Sequence, residues 1–437
     1  MFRVFSLSAV DIVNWLCVQN GAREHYAIPR VLHRSGRLEA LFTEVWAGPL
    51  TRRLALGPLR ALAGRYHPDL GKAESGKQQA DIISWNWQMM GRQLGAKVES
   101  GKRKAETGGP YHGFIRDGKW FSEKVRNYLI RRGTEVRGKV VFSYDTAALE
   151  LFRWAKARGA NCVLGQMDPG RVEVELVQAE EQRWPGWAQN PIRVPEEYFQ
   201  RREEEWRLAD RIVVNSPWSA DALVKQGVPP EKLVVIPLAY EAKPETLKPV
   251  ASVQKSEVRP PVSGLSPLKV LFLGQVNVRK GIQYLVEAAK LLANEPVQFD
   301  VVGPVGISDA AMKSAPPNVT FHGRTGRAEA AAWYERSEVF VLPTISDGFA
   351  LTQIEAMAHG LPVIATPNCG AVVTNGLDGF VVPPRDAMAL AQALRRYLEK
   401  PELLPEQRAA ALEKSRLFSL DRLAGHLTNL EQSLKHD

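Results

Sequence analysis

Residues 346–365 read SDGFALTQIEAMAHGLPVIA, and this stretch decides the fold. It follows an apolar strand pattern at Val339–Pro343 and contains an acid, a glycine, a helix at about 349–359 and a second strand at 362–366. Gly360 is well placed to end the helix. We expect Asp347 at the helix N-terminus, where free N–H groups bind anionic or polyhydroxyl ligands. Glu355 lies about two turns further on, so two acids on one side of the helix would suit the hydroxyls of a sugar and a ribose.

A second stretch, GQVNVRKG at 274–281, follows the first strand of the second half of the chain and opens a helix. A turn, the two cations Arg279 and Lys280, and a helix N-terminus together suit a diphosphate. The alternative interpretations are a solvent-exposed basic helix start here and an ordinary capped helix at 349–359. The two stretches support each other, because the acids follow the basic turn in the order that a sugar nucleotide would need.

These motifs resemble those of glycosyltransferase family 4, the retaining nucleotide-sugar glycosyltransferases of the GT-B fold. The run at 346–365 resembles the acid-x7-acid signature of that family, with Asp347 where Glu is usual. Lys280-Gly281 matches the family pattern, whereas Gln275 stands where Arg is usual and Arg279 would supply the missing charge. The resemblance implies an α/β chain of two Rossmann-like, doubly wound domains that face each other across a cleft.

The resemblance also implies roles for residues of the second half. Lys280 and Arg279 would stabilise the charge on the departing diphosphate, Asp347 would hold the hydroxyls of the donor sugar, and Glu355 would bind the ribose. The other residues expected to bind the donor are Gly274, Gln275, Gly323, Arg324, Gly348, Phe349, Ala350 and Leu351. The backbone N–H groups of Gly348, Phe349 and Ala350 would assist the two cations.

Two loops of the first half are candidates for binding an acceptor or its phosphate. Gly21 and Arg23 follow the first strand, and Arg23 would reach an acceptor phosphate. Asp168 follows a later strand and would orient an acceptor hydroxyl. Turns without a ligand are the alternative for both loops, since Asp168-Pro169-Gly170 is a typical turn sequence.

The length of 437 residues predicts two domains. Alternating strands and helices predict a parallel doubly wound sheet in each half. The expected organisation is an acceptor-binding domain at 1–240 with a basic insertion at about 50–138, a Pro- and Ser-rich linker at 241–268, a donor domain at 269–419 and a terminal helix at 420–437. The resemblance implies that this terminal helix crosses back to the first domain.

Composition and charge narrow the class of protein. The hydrophobic content of 45%, the absence of an apolar stretch of about 18 residues and three widely spaced cysteines predict a soluble cytoplasmic protein with buried thiols. Residues 91–140 hold thirteen Lys and Arg against five Asp and Glu. This segment favours phosphates, acidic glycans, anionic lipid head groups or nucleic acid, unless it is simply a solvated loop. No nucleic-acid motif occurs, so we expect a peripheral contact with the inner face of an anionic membrane.

The resemblance therefore implies a retaining hexosyltransferase of polysaccharide biosynthesis, and we expect it to be independent of metal ions. It would move a hexose-type sugar from a nucleoside-diphosphate sugar to a glycan or lipid-linked acceptor. The nucleotide sugar would be a co-substrate and no cofactor is expected, since no metal-binding pair of carboxylates is evident in the sequence. Two alternatives remain open, namely a sugar-nucleotide epimerase of the same fold and a non-catalytic protein that binds sugar nucleotides.

Overall fold

The structure is a computed structural model that describes residues 13–48, 65–71, 80–86, 88–89, 109–241 and 267–435. Over these residues the chain forms two parallel β-sheets, one of seven strands and one of six. Residues 1–10, the basic residues at 91–108 and the part of the linker at 242–266 lie outside the described residues.

The first sheet has the strand order β3-β2-β1-β4-β5-β6-β7. Its strands are β1 (Trp15–Gln19), β2 (Leu38–Thr43), β3 (Ile82–Ser84), β4 (Val140–Tyr144), β5 (Asn161–Gln166), β6 (Arg211–Val214) and β7 (Leu233–Val235). The helices of this half are α1 (Ala27–Arg34), α2 (Pro68–Gly71), α3 (Gly109–Arg131), α4 (Leu149–Lys156), α5 (Arg171–Arg183), α6 (Glu196–Leu208) and α7 (Pro217–Lys225). The central strands β1 and β4 are buried along their whole length, as expected of a parallel sheet with helices on both faces.

The second sheet has the order β10-β9-β8-β11-β12-β13. Its strands are β8 (Leu268–Leu273), β9 (Val297–Val302), β10 (Val319–Gly323), β11 (Val339–Leu342), β12 (Val363–Ala365) and β13 (Gly379–Val381). The helices are α8 (Ile282–Leu291), α9 (Asp309–Lys313), α10 (Arg327–Arg336), α11 (Leu351–Ala358), α12 (Ala387–Glu399), α13 (Leu403–Ser415) and α14 (Leu420–Leu434). All strand pairs of both sheets are parallel. The predicted class of two Rossmann-like doubly wound domains is confirmed.

Helix α14 follows the second sheet in the chain but packs on the first. Its apolar stripe, Leu420, Leu423, Leu427 and Leu430, is buried in the core beneath β1 and α1, with the three- and four-residue spacing of an amphipathic helix. The Trp15 Nε1 donates to Glu431 Oε1 at 2.5 Å. The end of the chain therefore ties the first domain to the second.

Two parts of the first domain were not resolved into helices and strands by the sequence analysis. The segment at about 50–138, predicted as a basic insertion, supplies β3, which pairs with β2, and α3, which buries Phe121, Val125 and Leu129 in the core. The described residues of this segment therefore extend the sheet and cover one of its faces. Helix α5 is the second part, since the sequence analysis predicted no element there.

The three cysteines are buried and form no disulfide. Burial raises the pKa of each thiol, which keeps the thiols protonated and unreactive. Among the described helices, none combines the length and the apolar character that crossing a bilayer requires.

Candidate active site

The candidate site lies where the carboxyl ends of the two sheets face each other. The loops after β1 and β5 come from the first domain, and the loops after β8 and β11 come from the second. Open parallel sheets bind ligands at this edge, because all the strands end there and the helices that follow begin there. Contacts within each loop and contacts between the loops together set the geometry of the site.

The turn after β8 holds the two cations in a fixed place. It is a 3-10 turn, Val278–Lys280, and the side chain of Asn277 accepts a hydrogen bond from the Lys280 N–H at 3.0 Å. Gly281 has a φ of +73°, and a Cβ there would lie 1.8 Å from the Pro343 carbonyl oxygen. Only glycine therefore allows the turn to approach the end of β11 so closely.

The same turn is bonded to the loop that carries Asp347. The carbonyl oxygen of Arg279 accepts hydrogen bonds from the Ile345 N–H at 2.9 Å and from the Thr344 hydroxyl at 3.1 Å. These bonds leave the side chains of Arg279 and Lys280 beside residues 346–348. The basic turn and the acidic loop thus form one structural unit. Lys280 and Asp347, which meet there, are 67 residues apart in the chain.

Asp347 lies at the centre of this unit. Its carboxylate pairs with the Lys280 ammonium, and its Oδ1 is 3.6 Å from Arg279 Nη1. Burial by itself would raise the pKa of Asp347, but the two cations outweigh it and hold the pKa of the carboxyl below its usual value. Asp347 is therefore an anion that lies next to the two cations.

The position of Asp347 relative to the helix corrects the prediction. Helix α11 begins at Leu351, so Asp347 lies in the preceding loop, and the two acids do not share one face of a helix. The loop is held from outside, since the Asp347 N–H donates to the Asn368 carbonyl at 2.8 Å and the Ala350 N–H donates to the Cys369 carbonyl at 3.1 Å. The Phe349 N–H bonds the Asp347 carboxylate. The N–H groups of Ala350 and Phe349 are thus already used within the protein, contrary to the prediction that they face a ligand.

Glu355 lies within α11, and its half-buried carboxylate accepts a hydrogen bond from the Tyr334 hydroxyl at 2.9 Å. Burial, followed by the charge of Glu355, raises the pKa of Tyr334 and that of Tyr240, the latter to about 12. Both phenols therefore remain protonated donors at neutral pH. Tyr334 belongs to α10 and was not among the predicted site residues, although it orients one of them.

The end of β10 and the loop after it carry Gly323 and Arg324, two of the residues expected to bind the donor. Gly323 has a φ of +71° and ends the strand, and His322 Nε2 is 2.6 Å from Asp300 Oδ1. The Trp333 ring contacts the His322 ring, at 4.3 Å between centroids, and the Arg336 guanidinium. Arg324 is exposed and lines a groove together with His322, Trp333 and Arg336. The rim of this groove is therefore aromatic and cationic.

Three other residues expected to bind the donor, Gly274, Gln275 and Leu351, lie on the turn after β8 or at the start of α11. Gln275 is exposed on the turn after Gly274, where its Oε1 accepts from Asn277 Nδ2 at 3.3 Å. Leu351 is the first residue of α11 and is half-buried. Gln275 has no contact with the Asp347 carboxylate. Among the described residues, the cations next to that carboxylate are Arg279 and Lys280.

The predicted residues of the first domain are held by their own neighbours. Gly21 has a φ of +87°, and the Arg23 guanidinium lies 5.1 Å from the centroid of the Tyr144 ring. Asp168 Oδ1 accepts from the Gly170 N–H at 2.8 Å and from Arg202 Nη2 at 2.7 Å. These bonds are those of a turn, which favours the structural interpretation of Asp168 over contact with an acceptor.

The two domains touch beside Asp347. Ser216 Oγ donates to the Gly348 carbonyl at 2.6 Å, and Trp218 Nε1 donates to Ser346 Oγ at 3.2 Å. A Cβ at position 348 would lie 2.1 Å from the Met167 carbonyl oxygen. Gly348 is thus needed for close approach of the first domain, a role that differs from the predicted contact with the donor.

One further residue of the first domain reaches the site and was missed. Glu173, near the start of α5, places Oε1 at 3.4 Å from Arg279 Nη1. The sequence around it reads RVEVELVQ, where Val and Glu alternate as they do in a half-buried strand. This alternating pattern does not predict a helix. Glu173 itself, an acid on the interdomain face of α5, also interrupts the apolar period expected of a helix.

Comparisons with known proteins show which sequences and folds this chain resembles. Residues 267–400 match the family described as "Glycosyl transferases group 1". The D-inositol 3-phosphate glycosyltransferase of Streptomyces griseus is 29% identical over 248 residues, which are 49% of this chain and 52% of that protein. The chain thus spans about half the length of the relatives it matches.

Two solved structures share the fold. The Anabaena protein HepE, in complex with UDP, has a TM-score of 0.59 at 14% identity and covers 96% of this chain and 100% of its own. The sucrose-phosphate synthase of Thermosynechococcus elongatus has a TM-score of 0.57 at 19% identity, with 97% and 99% covered. At these identities the likeness concerns the fold alone. The chain therefore has the two-domain GT-B fold, and residues 267–400 within its second domain match the glycosyl transferases group 1 family.

Proposed function

We propose that this protein is a retaining glycosyltransferase, of family 4, which moves a sugar from a nucleoside-diphosphate sugar to a glycan or lipid-linked acceptor. One observation carries the proposal: Lys280 and Arg279 lie on a hydrogen-bonded turn beside the partly buried carboxylate of Asp347, at the sheet edge that faces the first domain. Two cations beside one anion suit a ligand in which a diphosphate adjoins a polyhydroxyl group.

Each residue has a role that follows from its contacts. In the reaction, Lys280 and Arg279 leave the Asp347 carboxylate for the diphosphate oxygens, and they stabilise the negative charge that grows there as the sugar leaves. Asp347, freed from its cations, accepts hydrogen bonds from the sugar hydroxyls. Glu355, oriented by Tyr334 at 2.9 Å, accepts from the ribose hydroxyls. The groove beside Gly323 and Trp333 would receive the base.

Retention and independence of metal ions belong to the proposal. In this scheme the acceptor hydroxyl attacks on the face that the diphosphate leaves, and a donor phosphate oxygen takes its proton. The cationic side chains at the turn support a metal-independent reaction, because Lys280 and Arg279 supply the positive charge next to the diphosphate position. In this scheme Asp347 accepts hydrogen bonds from the sugar hydroxyls, and the reaction needs no nucleophile from the protein.

The relatives support the class of substrates. A protein of the same fold was solved with UDP, and a relative of the matched region is named as a glycosyltransferase of inositol phosphate. We propose that this chain likewise takes a nucleoside-diphosphate sugar. A panel of UDP-, GDP- and ADP-sugars tests this by release of the nucleoside diphosphate. Slow hydrolysis of one donor, lost in Lys280→Ala, is expected.

Other outcomes of the panel have distinct meanings. Release of a free epimerised sugar would identify an epimerase instead. Tight binding of a nucleotide sugar to the purified protein, with no turnover in the presence or absence of glycan acceptors, would identify a binding protein. Either result would overturn the proposed transfer reaction.

We also propose that the outer face of α3 makes a peripheral contact with an anionic membrane. Arg116, Lys119 and Arg131 are exposed along the helix, and Phe114 and Ile130 expose 52% and 49% of their surfaces. Exposed cations interspersed with large apolar side chains are typical of surfaces that bind acidic head groups.

Binding to vesicles of phosphatidylglycerol and phosphatidylcholine tests this contact. The triple change of Arg116, Lys119 and Arg131 to Ser should weaken binding at low salt. The control is a triple change of Lys225, Lys290 and Lys313 to Ser, which removes the same charge from exposed sites elsewhere. Equal binding by both variants would contradict the contact and leave α3 a solvated face.

A further inference from the structure

Helix α5 belongs to the first domain but is bonded to the second along one face. Glu180, fully buried, accepts hydrogen bonds from Gln283 Nε2 at 3.0 Å and from the Tyr284 hydroxyl at 2.8 Å. It also pairs with Arg385. All three partners are in the second domain, so Glu180 attaches α5 to that domain.

Glu173 lies on the same face of α5, about two helical turns before Glu180. The helix contacts the Val278–Lys280 turn, and Glu173 Oε1 is 3.4 Å from Arg279 Nη1. Its other oxygen, Oε2, is buried and has no hydrogen-bond partner among the described residues. The contacts of Glu180 with the second domain thus help to hold the Glu173 carboxylate next to the Arg279 guanidinium.

Arg279 is held from both domains. Besides Glu173, its Nη1 is 3.6 Å from Asp347 Oδ1 and 3.5 Å from the Ser346 carbonyl oxygen. An arginine between two carboxylates has its planar guanidinium fixed by both. When the Asp347 contact gives way to a diphosphate, Glu173 is the remaining anion that keeps Arg279 in place.

We propose, on the basis of the transfer function above, that Glu173 is a positioning residue of the reaction. From the first domain it holds the Arg279 guanidinium beside Asp347, so that the second cation of the diphosphate site is in place only when α5 is attached to the second domain. The donor site is thereby completed by the domain that binds the acceptor.

The titration of Glu173 gives this role a pH signature. Burial raises the pKa of Glu173 to about 7, although Arg279 opposes the change. The other charged or titratable groups that face it are Asp168 from the loop before α5, Asp347 from the second domain and Tyr111 from α3. Below about pH 7 Glu173 becomes neutral and releases Arg279, whereas Asp347 stays ionised because its pKa is lowered. Donor use should therefore fall on the acid side with an apparent pKa near 7.

The test compares Glu173→Gln with Glu175→Gln, which neutralises an exposed acid on the same helix. We expect Glu173→Gln to raise KM for the nucleotide sugar about tenfold, as for loss of one charge-assisted contact, and to abolish the acid limb near pH 7. Glu175→Gln should match the wild type in both respects. An unchanged or lower KM in Glu173→Gln, or an acid limb that persists, would overturn the proposal.

A rescue experiment separates positioning from a merely structural effect. Gln275 is exposed on the same turn, so Gln275→Arg adds a second cation from within the second domain. In the Glu173→Gln background it should return KM to within about twofold of the wild-type value. No rescue, in a variant that unfolds at the wild-type temperature, would count against the role of Glu173.

A double variant keeps the inference testable if Glu173→Gln is unstable. Glu173→Asp and Arg279→Gln are measured alone and together, and the pair should cost no more than Arg279→Gln, because both act through one guanidinium. Additive losses would overturn the inference. A wild-type protein that turns over no nucleotide sugar would instead contradict the proposed function, which these variants do not test.

Discussion

The contact between the domains at Gly348 yields a prediction whose size follows from the structure. In Gly348→Ala the new Cβ would lie 2.1 Å from the Met167 carbonyl oxygen, whereas such contacts are essentially never below 3.0 Å. The loop after β11 and the end of β5 must therefore separate by about 1 Å, and a misplacement of this size lowers a transfer rate by up to about 100-fold. Gly348 is not in the left-handed region of φ, so backbone strain adds nothing.

The assay is steady-state transfer or donor hydrolysis, with thermal unfolding as the check on folding. We expect kcat of Gly348→Ala to fall by about 100-fold with little change in the unfolding temperature, since the clash lies between domains and not within either core. Gly425→Ala is the control, because its Cβ would meet nothing within 4 Å on the exposed face of α14. Full activity of Gly348→Ala would show that close approach of Met167 to this loop is not required for catalysis.

The other predictions concern the two charged partners and one buried cap. Lys280→Ala should lower kcat by at least about 100-fold through loss of charge stabilisation; an active variant, measured by donor hydrolysis, would remove Lys280 from the mechanism. Asp347→Ala should abolish transfer while calorimetry shows equal or tighter binding of the nucleoside diphosphate, because two cations lose their internal anion; parallel loss of both would contradict its role with the sugar. Glu205 is fully buried and accepts hydrogen bonds from the N–H groups of Thr146, Ala148 and Leu149 at 2.7–3.1 Å. Glu205→Ala should therefore lower the free energy of unfolding, measured by urea titration, by about 2–4 kcal/mol. Glu204→Ala, which removes only the surface pair with Arg153, should lower it by under about 1 kcal/mol, and equal effects would contradict the capping role of Glu205.

The alternation of the fold was readable from the sequence because it is encoded locally. Strands such as β8 and β11 are short apolar runs, and helices such as α12 and α14 carry the apolar period of amphipathic helices. The GQVNVRKG and SDGFALTQIE stretches also indicated which loops would meet, since both follow strands of one parallel sheet.

The details of the site depend on contacts that local sequence does not encode. The loop at 347–350 is not helical because the carbonyl groups of Asn368 and Cys369, which follow β12, take its N–H groups. Glu180, fully buried, and Glu173, partly buried, face the second domain, so acids occupy positions of α5 where an amphipathic helix would carry apolar residues. Interdomain polar contacts of this kind are visible only once both domains are placed.

The central claim is that a diphosphate binds between the domains on Lys280 and Arg279. A crystal structure with UDP, GDP or ADP, whichever binds best in calorimetry, tests it most directly. The account predicts a phosphate oxygen within about 3 Å of Lys280 Nζ, with the Lys280–Asp347 pair broken and the ribose at Glu355. A nucleotide bound elsewhere, with that pair intact and the cleft between α5 and the Val278–Lys280 turn unchanged, would contradict it.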